Sequence, residues 1–306
     1  MADLVQTHNN TIPVLARGFL ECKKYITAPE VTRFLEQHLR ARIGTRLIAE
    51  QHIALHMASQ PDSSERKRSS PYIGVIDTAL RPAEIVRHCD AFVSEVCELK
   101  YGVRPSLILR GDLDADVAHV PVHLEYIITE LLKNAYRATV ESGNERKGVE
   151  VTIAASHDAP HTKLDVLKNI LVTQDTTHDF SQEGLNEYCD SEGHAQPLNS
   201  AAQTITVRIR DQGGGISPDA LPHIWTFNYT TFSSRPGGNQ GNDNIDALNA
   251  ISESGGGNSS TIAGLGYGLP LSRAYAEYFG GGISVESVYD YGTDVYLTLQ
   301  GVGKIT

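Results

Sequence analysis

One helix limits what this chain can become. Over Val122–Glu141, VHLEYIITELLKNAYRATVE, the residues Leu124, Ile127, Ile128, Leu131, Leu132, Ala135, Ala138 and Thr139 recur at the three- and four-residue steps of an amphipathic helix. The other side is unusual. Tyr126, Glu130, Asn134, Arg137 and Glu141 follow one another at similar steps and stack along one line. Alone, that line reads as a solvated face. In order, it also offers a carboxylate, a metal-capable amide and a guanidinium, the inventory of a nucleotide site. The rest of the chain decides between the two.

At 306 residues there is enough chain for one large or two ordinary domains. A composition of 40% hydrophobic and 21% charged residues describes a soluble globular protein. No apolar run approaches the roughly 18 residues of a membrane span. The net charge of −11 argues against nucleic acid or an anionic membrane as the main partner. The acidity is concentrated in 156–203, where eight acidic residues face only Lys163 and Lys168. The cysteines, Cys22, Cys89, Cys97 and Cys189, form no CxxC pair; Cys89 and Cys97 are expected to be buried free thiols in a reducing compartment. No Arg-rich leader or secretory segment follows Met1, so the chain is expected either to lack a targeting signal or to start downstream of one.

Along the chain, two helices come first, over Ile12–Ile26 and from Pro29 to about residue 57. They cannot close a core alone and must pack on something else. A loop at 60–71 leads to a short strand at Tyr72–Ile76, a helix from Pro82 to about Tyr101 and a strand at Ser106–Leu109. After the central helix comes a strand at Val149–Ala155. The acidic 156–203 stretch then reads as a mobile insertion. In Thr204–Asp211, Ile205, Val207 and Ile209 share one face, and Asp211 stays in phase with them. An inward carboxylate is costly unless it finds donors, and Gly213-Gly214-Gly215 follows it directly. Residues 219–228 are read as a helix carrying Trp225, and 233–260 as a flexible Gly/Asn/Ser stretch. Gly264-Leu-Gly-Tyr-Gly-Leu-Pro then opens another helix, and strands at Ile283–Val288 and Asp294–Leu299 close the chain.

Four features line up: the Glu/Asn/Arg helix, Asp-x-Gly-Gly-Gly after a strand, Gly-x-Gly-x-Gly before a helix, and Gly-Thr before the last strand. Each has a physical task in holding ATP. Glycines ahead of a helix N-terminus let backbone N–H groups and the positive dipole end reach phosphates. An inward Asp211 can accept the exocyclic amine of adenine, Asn134 can complete a Mg²⁺ shell of water and phosphate oxygens, and Thr293 can contact the base through its hydroxyl or a bridging water. Singly these are weak signals. The P-loop and the eukaryotic kinase motif set are both missing, so the joint order carries the case.

Glu130–Asn134, Asp211–Gly215, Gly264–Gly268 and Gly292–Thr293 resemble the N, G1, G2 and G3 boxes of the GHKL ATPase superfamily. TELLKNAYRATVES, DQGGGIS, GLGYGLPLSRAYAEYFGG and GTDVYL are closer still to the mitochondrial 2-oxo-acid dehydrogenase kinases, and THNNTIPVLARG and RIGTRLIAEQHIALH extend the likeness towards the N-terminus. The resemblance implies an α+β fold, with a partial helical bundle at 1–110 ahead of an α/β sandwich with a mixed sheet at 111–306. That second domain would carry the insertion at 156–203 and an ATP lid at 228–263.

It further implies a Mg-ATP-dependent serine kinase of the matrix that phosphorylates the E1α subunit of a pyruvate or branched-chain dehydrogenase. Such a kinase forms a homodimer and docks on the lipoyl domain of the E2 core. Glu130 maps to the general base and Asn134 to the metal ligand. Lys133, Arg137, Asp211, Gly213, Gly215, Thr293 and the lid-hinge pair Thr230 and Thr231 map to ATP contacts, as do Gly264, Leu265, Gly266, Tyr267, Gly268 and Leu269 of the phosphate loop. Tyr126 stands where pyruvate kinases carry histidine and branched-chain kinases tyrosine, which tilts the substrate towards the branched-chain complex. Relative to the family the chain is expected to begin partway through the bundle.

Two rivals remain. A sensor histidine kinase needs a phosphoacceptor on a dimerisation helix, and His52 is the only candidate; it lacks the usual acidic neighbour and Thr-Pro stretch. A non-catalytic ATP-binding regulator would follow from a truncated bundle, against which stand the intact Glu130 and Asn134.

Overall fold

Alternation along one strand explains the layering. From Thr204 to Asp211 every second residue, Ile205, Val207, Ile209 and Asp211, is buried, and those between are partly or fully exposed. The computed structural model describes residues 2–8, 11–60, 71–156, 204–227, 229 and 266–302. Helices α1 (Ala2–Thr7), α2 (Thr11–Glu21) and α3 (Ala28–Ala58) come first, followed by β1 (Tyr72–Ile73), β2 (Ile76–Leu80) and α4 (Pro82–Tyr101). Next are β3 (Leu107–Gly111), β4 (Val117–His119), α5 (Pro121–Glu141), β5 (Val149–Ser156) and β6 (Thr204–Asp211). The last described elements are α6 (Gly268–Tyr278), β7 (Gly282–Val288) and β8 (Gly292–Gln300).

The main sheet has the order β3-β5-β6-β8-β7, with β3 and β5 parallel and every other pair antiparallel. One face of it is apolar. Val149, Val151, Ile153, Ile205, Val207, Ile209, Leu297 and Leu299 meet α4 and α5 through Val86, Val93, Leu124, Ile128, Leu131 and Leu132. Each fully buried Leu or Ile there contributes about 1.5–3 kcal/mol of transfer free energy. The opposite face is polar, with Arg208 paired to Glu150 at 2.5 Å and Arg210 to Asp294 at 2.5 Å. This is the mixed sheet under helices, behind a helical N-terminal region, that the motifs imply.

A second core joins the helical region to the ATPase-like part. Ala16 of α2 and Val31, Leu35 and Leu39 of α3 pack with Phe227, Tyr267 and Leu271. That cluster covers Ala16 of α2 and the first turns of the α3 stripe, while Phe34, Ile48 and Leu55 of α3 stay exposed. The described part of the chain contains no helix long and apolar enough to cross a membrane. Cys89 and Cys97 are buried free thiols, as expected, and burial pushes the Cys89 thiol up to about 12. Cys22 is an exposed thiol, and Cys189 lies outside the described residues.

Several boundaries differ from the expected ones. The helix expected over Ile12–Ile26 stops at Glu21 and tightens into a 3-10 turn at Cys22–Lys24. The strand expected over Tyr72–Ile76 is the corner of a hairpin: Gly74 adopts φ +65° and reverses the chain between β1 and β2. Gln51 of α3 holds that corner, accepting from the N–H of Val75 at 2.7 Å and donating to the Ile73 carbonyl at 3.1 Å. The helix expected over 219–228 is absent. Leu221–His223 forms a single 3-10 turn, and the N–H groups of His223 and Thr226 bond back three residues and not four. Strand β4 and helix α1 have no counterpart in the sequence expectations. Apart from Ser156 and Tyr229, the expected insertion at 156–203 and lid at 228–263 lie outside the described residues.

Candidate active site

The polar line of α5 is not a solvated face. Glu130 is only 7% exposed. Lys133, one turn on, donates from Nζ to Glu130 Oε1 at 2.5 Å, and the two side chains keep 21% and 10% of their surface. The other oxygen faces the first residue of α6: a Cβ built on Gly268 would lie 2.3 Å from Glu130 Oε2. Glycine at 268 is what lets the carboxylate reach the N-terminus of α6, where the helix dipole favours negative charge. Asn134 follows on the same line and is exposed. One turn further, Ala138 packs against the glycine loop so closely that a Cβ on Gly213 would come within 2.4 Å of its own. A small residue at 138, in step with Glu130 and Asn134, is therefore part of the site, and the periodicity that flagged its neighbours could have flagged it.

The second wall is the end of β6. Asp211 is 6% exposed and accepts the Gly213 N–H on Oδ1 at 2.8 Å. Burial pushes its carboxyl up to about 6, partly offset by the backbone N–H groups of Gly213 and Thr293. It has found two backbone donors, too few for a buried carboxylate, and retains acceptor capacity for another. Thr293 sits directly across the ladder from Asp211 and is 8% exposed, with Oγ1 3.1 Å from Ser287 Oγ. Ser287 also accepts the Ile216 N–H at 2.7 Å, so it ties the glycine loop to the last hairpin. Asn144 ties the same loop to the end of α5, donating from Nδ2 to the Gln212 carbonyl at 2.8 Å. Sequence reasoning missed both Ser287 and Asn144, because neither belongs to a motif and each acts through backbone atoms far along the chain.

The structure thus brings Glu130, Lys133, Asn134, Gly213 and Gly268 along α5, with Asp211, Gly215 and Thr293 at the adjoining sheet end. Gly215 and Gly266 adopt φ +69° and +75°, conformations that side chains disfavour. Other expected contacts fall elsewhere. Tyr267 is fully buried in the second core, its ring 5.2 Å from that of Phe227, and Leu269 packs on the main core. Only the backbone of these two can serve a ligand. Arg137 lies 3.7 Å from Glu141, whose carboxylate also accepts from Tyr101 of α4 at 3.2 Å. Thr230, Thr231, Gly264 and Leu265 lie outside the described residues.

Tyr126 is turned inward, its ring 5.3 Å from Tyr275 and its hydroxyl without a partner among the described residues. Burial, then the charge of Glu130, holds that phenol well above its ordinary value. Behind it, burial and then the neighbouring His119 and Arg46 push His123 down to about 4, keeping it neutral beside Tyr275 at 4.6 Å.

Comparison with known proteins gives two family matches. Residues 1–77 match the mitochondrial branched-chain alpha-ketoacid dehydrogenase kinase family, and residues 119–302 match the histidine kinase-, DNA gyrase B- and HSP90-like ATPase family. The chain is 29% identical over 97% of its length to the mitochondrial pyruvate dehydrogenase (acetyl-transferring) kinase of Arabidopsis thaliana. It is 27% identical over 99% to kinase 1 of Saccharomyces cerevisiae, and 26% identical over 97% to isozyme 4 of Homo sapiens. It spans 65%, 62% and 59% of those proteins' own lengths. With the ATPase match extending from β4 past β8, the chain belongs to the histidine kinase-, DNA gyrase B- and HSP90-like ATPase family.

Proposed function

We propose that this chain is an ATP-dependent protein serine kinase acting on the E1α subunit of a mitochondrial 2-oxo-acid dehydrogenase complex. The observation that carries the proposal is the buried Glu130 carboxylate, fixed between Lys133 and the N-terminus of α6 and one turn from Asn134. A positioned base of this kind contributes about 10²–10⁴-fold to a proton-transfer step. In the proposed reaction Glu130 accepts the proton of the serine hydroxyl. Asp211, a buried acceptor with capacity to spare, receives the adenine amine, and Thr293 beside it supports the base. The glycine backbone from 266 to 268 and the N–H groups opening α6 hold the phosphates. Asn134, exposed beside Lys133, contributes its amide oxygen to Mg²⁺. The nucleotide itself supplies the transferable phosphoryl group, and the rest of the rate is positioning and charge neutralisation.

The kinase relatives are named for pyruvate dehydrogenase, which favours that complex as substrate, while Tyr126 and the N-terminal match favour the branched-chain one. The mitochondrial matrix, a homodimer and docking on the lipoyl domain of E2 belong to the same proposal. The test is a phosphorylation assay with Mg-ATP and purified pyruvate and branched-chain E1 in parallel. Acid-stable serine labelling of one E1α is expected, lost in Glu130→Gln while ATP still binds. Labelling that survives in Glu130→Gln removes Glu130 from the base role. Acid-labile label on the kinase itself, lost in His52→Ala, would assign it to the histidine kinases instead.

A further inference from the structure

Three groups share one small space: the Glu130 carboxylate, the Lys133 ammonium and the opening of α6. Glu130 Oε1 receives Lys133 Nζ at 2.5 Å, and Oε2 lies against Gly268. Among the described residues Lys133 is the one cation within ion-pair distance of Glu130. The protein's own carboxylate therefore lies against the first residue of α6 and takes up the lysine. The Oε1 lone pair that the ammonium engages cannot take a hydroxyl proton at the same time. A phosphate chain arriving at the same N-terminus brings further negative charge to within reach of one ammonium.

We propose that Lys133 is a positioning residue that passes from Glu130 to the terminal phosphates when ATP binds, so that nucleotide arrival itself frees the base. This rests on the nucleotide reading of the site. The chemistry suits lysine: a compact charge on a four-carbon stem, with three rotatable donors, changes partner without moving the helix backbone. Asn134 and Ala138 stay in place on the same line, so the metal and glycine-loop contacts are undisturbed by the exchange. The consequence is an order of events. The carboxylate is held while the site is empty and released only when a phosphate is present to receive the lysine.

The experiment is calorimetric titration of the full chain with Mg-ATP and, separately, with AMP, on wild type, Glu130→Gln, Lys133→Met and the double variant. Removing the carboxylate that competes for Lys133 should tighten Mg-ATP binding by about three- to tenfold, the scale of a partly exposed ion pair. Lys133→Met should weaken it by a similar factor. In the Lys133→Met background the gain from Glu130→Gln should vanish, and AMP affinity should be the same in all four proteins. Lys133→Arg should restore the gain, which a merely structural lysine would not do. A gain that persists without Lys133 overturns the proposal, because the carboxylate then acts on the phosphate by direct repulsion; no gain at all overturns it equally. Failure of the nucleotide reading looks different: wild type binds no ATP, or Asp211→Ala binds it as tightly as wild type.

Discussion

Gly268→Ala should separate folding from catalysis. Position 268 opens α6 with an ordinary negative φ, so alanine is conformationally welcome and gains up to about 1 kcal/mol of helix propensity. The nearest atom to the new methyl is Glu130 Oε2, at 2.3 Å, followed by Cδ at 3.1 Å. Restoring ordinary contact moves the carboxylate by about 1 Å, and a misplacement of that size costs about 10²-fold in rate. The displaced atoms are the end of a side chain, so they swing aside without unpacking the core. Serine phosphorylation by Gly268→Ala should fall about 100-fold, with Tm unchanged or raised by about 2 °C. Mg-ATP affinity should change little. A variant within threefold of wild-type kcat would show that Glu130 needs no close approach to α6. A large drop in Tm would put the cost in the fold and refute the reasoning from a flexible side-chain end.

Asp211 provides a pH test. Its carboxyl is pushed up to about 6 by burial, against an unfolded value of about 4, so between those values the folded chain binds more protons than the unfolded one. Nucleotide-free stability should therefore fall as pH rises across that window, and Asp211→Asn should abolish the slope. The variant should gain up to about 2–3 kcal/mol over wild type above the window and little below it, in urea melts. Parallel slopes would remove burial as the cause. Arg137→Ala should leave Mg-ATP affinity within about twofold, because its guanidinium already lies 3.7 Å from Glu141. A tenfold loss by titration would return Arg137 to the nucleotide site.

Much of this was legible because two periods carry it. The phase of Asp211 with Ile205, Val207 and Ile209 predicted its burial, since a side chain in a strand cannot leave its face without breaking register. The α5 stripe predicted the core, but its polar line misled when taken alone. Glu130 is covered by a loop whose sequence lies more than a hundred residues away, and no local pattern records that. Tyr267 shows the same limit from the other side. Between two glycines it looks like loop, yet its ring is among the largest fully buried side chains. At Trp225 the failure was local: apolar residues around Pro222 suggested a helix, and backbone bonds spanning three residues make a turn instead, with the indole against Arg273 at 4.9 Å.

The burial of Tyr267 has a mechanical meaning. The loop proposed to grip phosphate is pinned at its middle residue, in one cluster with Leu35 and Leu39 of α3 and with Phe227. Tyr267 directly precedes α6, so the packing that holds its ring also fixes where the first turn of that helix, and with it the Gly268 seat of Glu130, begins. Severing the chain between these regions would not yield two self-sufficient modules. It would leave an aromatic and leucine-rich seam facing water on both pieces, and a phosphate loop that has lost its pivot.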